Sequence, residues 1–148
     1  MQLYSTKRIS PDVDLKEAVL KGLPSDNGLY MPYEMFHLPT SFFDDLPNMS
    51  YNEMAQRITK HIVGNDISES DIEKIINEAY DFDAPLIDLG AIKILELFQG
   101  PTLAFKDFGA RFMGRLMGHF LQDSEDEVNI LVATSGDTGS AVAHGFVN

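Results

Sequence analysis

The run Val128-Asn-Ile-Leu-Val-Ala133 passes directly into Thr134-Ser-Gly-Asp-Thr-Gly139, and this junction constrains the chain more than any other feature. A nearly continuous apolar stretch of strand length is the pattern of a strand covered on both faces, as in a parallel sheet. The glycine-containing turn after it reads as a strand-to-helix junction, with a helix expected over 140–146. Upstream, Ile92-Lys-Ile-Leu-Glu-Leu-Phe98 reads as another strand. A helix is expected over 108–121, with Phe108, Phe112, Leu116 and Phe120 at four-residue spacing and Gly109, Gly114 and Gly118 leaving room for close backbone approach. Strand, helix, strand and helix start imply a βαβ arrangement, and so an α/β fold class. Such a sheet needs more strands than these two, so the expectation is a core cut inside a domain.

The first ninety residues follow a different period. Asp14 with Glu17, and Ser50 with Glu53, are capping-box patterns, and Gly22 and Gly64 stand where the two helices should end. Apolar Tyr51, Met54, Ala55, Ile58 and Ile62 recur at helical spacing. So do Ile72, Ile75, Ile76, Ala79 and Tyr80 behind Ser68, the cap of a third helix. Asp26-Asn27-Gly28 marks a turn. Phe36, Phe42 and Phe43, in a stretch broken by prolines, read as core or staple residues. The expected organisation is a helical N-terminal domain over 1–90 and the incomplete start of an α/β domain over 91–148, with no internal repeat.

Composition removes several functions. A formal net charge of -12 argues against a nucleic-acid partner, which needs a basic face. With no cysteine there is no disulfide, thiolate metal site or cysteine nucleophile. No apolar run approaches membrane-spanning length and the first residues lack a signal-peptide core, so a cytoplasmic protein is expected. His37, His61, His119 and His144 are scattered without ligand spacing, and no metal is expected. The carboxylates Asp44-Asp45 and Glu125-Asp126-Glu127 read as solvated loop charge.

Two segments carry candidate chemistry. Lys106 follows a Pro-containing loop and precedes a helix, whose N-terminal end carries partial positive charge and disfavours an ammonium there. Leu103, Phe105 and Phe108 would add to this if they packed around it. A neutral amine is what imine formation with an aldehyde requires. Equally, Lys106 reads as a first-turn residue with its stem packed and its head in water, with Asp107 as an ordinary surface partner. The turn over 134–139 is open in the same way. The hydroxyls of Ser135 and Thr138, with helix-start N–H groups, suit an anion, yet the turn also reads as a plain strand-to-helix connection. It is neither a P-loop nor a dinucleotide fingerprint.

Glu96, five further residues, then Thr102-x-Ala-Phe-Lys-Asp-Phe-Gly-Ala110 resembles the pyridoxal-phosphate attachment signature of the serine/threonine dehydratase and threonine synthase group. The run from Gly100 to Met113 is closer to the threonine synthases, and two further stretches agree: Tyr4-Ser-Thr-Lys-Arg8 and Gly22-Leu-Pro-Ser-Asp-Asn-Gly-Leu-Tyr-Met-Pro32. Lys7 departs from relatives that carry arginine directly after Ser-Thr. The resemblance implies a fold-type II pyridoxal-phosphate enzyme core and a phospho-lyase that converts O-phospho-L-homoserine and water to L-threonine and phosphate. It implies Lys106 as the catalytic residue, linked to pyridoxal 5'-phosphate as an imine. Ser135, Gly136, Asp137 and Thr138 would contact cofactor and substrate, with Asp137 in a place where related enzymes have asparagine. The chain alone is expected to be inactive and to hold the cofactor weakly. Other readings are a related lyase such as a serine/threonine dehydratase, or a non-catalytic folding or interaction module.

Overall fold

The computed structural model describes residues 1–125 and 127–147. Asp126, in the expected acidic loop, and Asn148 lie outside the described residues. The chain is α/β and divides into two compact units, Met1–Glu73 and Lys74–Asn148.

The first unit contains a small sheet that helical periodicity did not signal. β1 (Gln2–Ser5) runs antiparallel between β2 (Val13–Asp14) and β3 (Tyr30–Pro32), with Leu3 opposite both Val13 and Pro32. Side chains alternate across a strand, so Leu3 and Ser5 face one way and both are buried. Leu3 joins Val13 and Ala18 in a cluster flanked by Met1, Leu15 and Tyr30. Ala18 lies on α1 (Leu15–Lys21), which opens where expected: the Asp14 carboxylate accepts from the Glu17 N–H at 2.7 Å. The reciprocal half of that box is not formed, because Glu17 turns outward to pair with Lys21.

The next three α-helices, the last of which begins in this unit and ends in the second, keep the signals read in the sequence. α2 (Thr40–Asp45) buries Phe42 and leaves Phe36 and Phe43 exposed, so one of the three aromatics is core. α3 (Tyr51–Val63) has its complete capping box, Ser50 accepting from the Glu53 N–H and Glu53 accepting from the Ser50 N–H. Its expected stripe is only half-buried, and Ile62 is exposed while Val63 is buried. α4 (Glu69–Ala79) is capped by Ser68, which accepts from the Asp71 N–H, and Ile72, Ile75, Ile76 and Ala79 are buried as expected.

Ser5 is buried because its hydroxyl donates to Asp26, at 2.7 Å. The same carboxylate accepts the N–H groups of Gly28, Ser10 and Ile9 at 2.8, 2.9 and 3.2 Å. Desolvation raises the Asp26 carboxyl, but the Ser5 hydroxyl and the three N–H groups outweigh it and hold it far below the ordinary carboxylate range. The hub fastens residues 5–10 to the turn 26–28.

In the second unit, β4 (Leu86–Asp88) and β5 (Lys93–Leu95) form an antiparallel hairpin. Its turn has Gly90 at φ 81°, and Asp88 accepts from the Gly90 N–H at 2.8 Å. α5 (Lys106–Leu121) starts two residues before its expected limit, and α6 (Gly136–Gly145) starts four residues before. The two helices meet at glycines. A Cβ on Gly114 would strike the Gly145 carbonyl, and one on Gly145 would lie 2.8 Å from the Ala110 carbonyl, so backbone packs on backbone. Gly114 thus has the role expected of it, whereas Gly109 and Gly118 have open space.

The strand expected over 128–133 is not formed. These residues have no regular secondary structure and no strand partner among the described residues, and Leu131 is 93% exposed. A strand needs a neighbour for its N–H and C=O groups, and β4 and β5 use each other. Among the described residues no parallel pair exists.

The Asp26 carboxyl is lowered on folding, so its contribution is full above the unfolded range, near ~3.9, and declines as pH falls below that. Asp26→Asn is therefore expected to lower the urea midpoint at pH 7, with the gap from wild type narrowing below about pH 4. A gap of the same size at every pH would refute this role.

Candidate functional site

Lys106 is the first residue of α5. The preceding loop is tightly bent: the Leu103 N–H donates to the Gly100 carbonyl, and the Asp107 N–H to the Ala104 carbonyl, each at 3.0 Å. Leu103 has φ 60°, a conformation that a branched side chain adopts at a cost. The apolar surroundings expected for Lys106 are only partly present. Phe108 is half-buried against Tyr80 and Phe82, but Leu103 and Phe105 are mostly exposed. The Lys106 Nζ lies 3.7 Å from the centre of the Phe105 ring, a cation–π contact.

Asp107 is not the surface partner it seemed in the sequence. It is fully buried and makes no ion pair among the described residues. One oxygen accepts from the Thr102 N–H at 2.9 Å and the other from the Thr102 hydroxyl at 2.7 Å. A Cβ on Gly100 would lie 2.5 Å from this carboxylate, which gives the glycine a steric reason. The only available signal was an aspartate in a helix first turn five residues after a threonine, and that pattern is too common to read.

Arg111, one and a half turns further along α5, is also buried. Its Nε donates to the Ala79 carbonyl, and its Nη2 to the Glu78 carbonyl and to Asp81, each at 2.8 Å. Carbonyls at the end of a helix have no partner within it, so Arg111 closes α4 and fixes α5 against that end. Position and rotation of α5, and with them the root of Lys106, depend on this contact.

Ser135, Gly136, Asp137 and Thr138 are not a loop before a helix. Ser135 is the N-cap of α6, and the other three form its first turn. Their N–H groups are those that lack intrahelical acceptors, and the Ser135 side chain makes no capping hydrogen bond. Ser135, Gly136 and Asp137 are exposed and Thr138 is half-buried. Asp137 stands where a negative charge suits the helix dipole. The arrangement is an uncapped helix start with hydroxyls beside it. Among the described residues no hydrogen bond or ion pair joins it to Lys106. No group of three metal-ligating side chains and no helix long and apolar enough to cross a membrane occurs among these residues either.

This α/β frame, with a lysine at one helix start and an uncapped, hydroxyl-bearing start at another, matches known proteins over 99% of its length. Residues 2–80 match the family described as threonine synthase N terminus. Threonine synthase of Buchnera aphidicola subsp. Baizongia pistaciae (strain Bp) is 40% identical over 148 residues, 99% of this chain and 34% of that protein. Threonine synthase of Escherichia coli (strain K12) is 37% identical over 147 residues, again 99% and 34%. The crystal structure of threonine synthase from Escherichia coli aligns at a TM-score of 0.90 and 37% identity, covering 99% of this chain and 34% of that one. A PLP-bound threonine synthase from Brucella melitensis aligns at 0.91 and 36%, covering 99% and 33%. The chain belongs to the threonine synthase N-terminus family. It spans about a third of the length of the curated relatives it matches.

The two serine caps should behave differently on truncation. Ser50→Ala removes a formed cap and should cost about 1 kcal/mol. Ser135→Ala removes a hydroxyl with no capping bond and should cost well under ~1 kcal/mol. Urea denaturation of both variants measures the contrast, and equal losses would contradict it.

Proposed function

We propose that the chain is the N-terminal part of a threonine synthase and serves the conversion of O-phospho-L-homoserine and water to L-threonine and phosphate. The observation that carries this reading is the likeness over 99% of the chain, in sequence and in fold, to the Escherichia coli enzyme. In this reading residues 1–90 form the helical N-terminal domain and 91–148 begin the cofactor-binding domain.

Pyridoxal phosphate is the proposed cofactor, supported by the PLP-bound relative from Brucella melitensis. The residues present fit it. Lys106 offers a primary amine at a helix start, and Ser135, Gly136 and Thr138 offer hydroxyls and unpaired N–H groups suited to anionic oxygens. When bound, the cofactor supplies an electron sink for negative charge at substrate carbons beside the amine.

The chain's own residues have separate tasks. Lys106 would hold the cofactor through Nζ. With the substrate in place, its Nζ would remove the proton from the substrate Cα and move protons at Cβ, as general base and acid. Ser135, Thr138 and the first-turn N–H groups of α6 hold the substrate carboxylate and the edge of the cofactor ring. Asp137 can only accept a hydrogen bond as a carboxylate, so its contact there differs from that of an asparagine amide.

Exchanging this chain for the matching third of the Escherichia coli enzyme is expected to give a chimera that releases phosphate from O-phospho-L-homoserine. Lys106→Ala in that chimera should lower the rate by about a thousandfold or more, the scale of losing a covalent catalytic group. An alanine variant as fast as its parent would overturn the assignment.

By itself the chain should hold pyridoxal phosphate weakly and turn over no substrate. The Lys106 amine rests on an exposed ring, and the start of α6 is open to water. Visible absorption during cofactor titration, followed by borohydride reduction and peptide mapping, tests this. A stable absorption band on Lys106 at low cofactor concentration would contradict it.

A further inference from the structure

The direction in which Lys106 leaves α5 is set by backbone, because among the described residues its ammonium has no hydrogen bond or ion pair and rests over the exposed Phe105 ring. That backbone is the bent loop from Gly100 to Phe105, with Leu103 held at φ 60°. Relaxation of Leu103 to an ordinary conformation would swing the residues after it and shift the first turn of α5. One side chain opposes this. Asp107, with 0% exposure, spends both carboxylate oxygens on Thr102, one on its N–H at 2.9 Å and one on its hydroxyl at 2.7 Å. Thr102 is the residue before Leu103, and Asp107 the residue after Lys106, so the pair closes a ring around the strained residue and the lysine. Gly100 completes the fit, since any Cβ there would press on the carboxylate.

We propose that Asp107 is a positioning residue for Lys106, acting through Thr102: their paired hydrogen bonds hold the amine's root where a carbonyl ligand can be attacked. The proposal rests on the reading of Lys106 as the cofactor lysine. A small displacement of a reacting amine is costly, because reactivity depends steeply on its distance and angle.

The test uses the 148-residue chain, with pyridoxal phosphate itself as the probe. Brief exposure, borohydride reduction and peptide mapping give the ratio of label on Lys106 to label on Lys74, an exposed lysine of the same unit. Wild type should favour Lys106. Thr102→Val keeps the shape and removes the hydroxyl, and should lower the ratio about tenfold. Thr102→Ser restores the hydroxyl and should return the ratio to within about twofold of wild type. Far-UV circular dichroism and urea midpoints, recorded for each variant, separate loss of fold from loss of position. An unchanged ratio in Thr102→Val, or equal falls in Val and Ser variants, overturns the positioning role and leaves the cofactor lysine in place. A wild-type ratio near one overturns the positioning role, whereas the lysine assignment falls only if Lys106→Ala leaves the chimera as fast as its parent.

Discussion

The second unit depends on a buried guanidinium. Arg111 satisfies the carbonyls of Glu78 and Ala79 and the carboxylate of Asp81, at one place where α4 ends and α5 passes. A planar fork of donors is suited to this in a way that an ammonium is not, because it can meet several acceptors in fixed directions. Hydrogen bonds to a charged group contribute about 1.5–3 kcal/mol each, and a buried carbonyl left without a donor costs about as much. The contact therefore has two effects at once: it ends one helix and prevents the next from sliding or turning. Everything carried by α5 inherits that fixity, including Lys106 at its first position and Gly114 at its crossing with α6.

What was legible in the sequence was local. Ser50 with Glu53, Ser68, Asp14 and the glycines after α1 and α3 each report a bond or a backbone conformation within four residues, and each was found where it was read. The β2-β1-β3 sheet was not legible. Its strands have two to four residues, too few for an alternating pattern to show, and its register joins Leu3 to Pro32 across the chain. The start of α6 was misplaced because glycine and threonine are poor helix formers, and a turn was the natural reading of Thr134-Ser-Gly-Asp-Thr-Gly139. In the structure, Asp137 in the first turn and the extended Ser135 before it suit a helix start there.

The apolar run over 128–133 shows the limit of a pattern in another way. Its composition states a need for burial, and nothing in the pattern says which residues meet that need. Leu86, Ile92, Ile94 and Leu95 on and beside the hairpin share the condition, all exposed and all apolar. The pattern predicted a strand over 128–133 that is not formed, because pairing is a property of two segments and no segment pairs with this one among the described residues.

The proposed site residues were read by motif, and the contacts that support them were not legible. Lys106 and the Ser135–Thr138 turn are named by their neighbours in sequence, whereas the burial of Asp107 is visible only in three dimensions. The same device occurs in both units. Asp26 accepts a serine hydroxyl and three N–H groups around Arg8 and Asn27, and Asp107 accepts a threonine hydroxyl and N–H beside Leu103. Arg8, Asn27 and Leu103 are all the non-glycine residues with positive φ among those described. A left-handed residue of this kind costs roughly 1–2 kcal/mol, and it persists only where the surroundings over-determine it. Each of the three lies in a loop whose N–H groups are drawn to one carboxylate. In the first unit that carboxylate joins two distant stretches of chain, and in the second it bends the loop that presents a lysine. Strain held in this way is the sign of a loop whose shape matters more than its stability, and before Lys106 a buried aspartate holds that shape with Leu103, not a glycine, at the left-handed position.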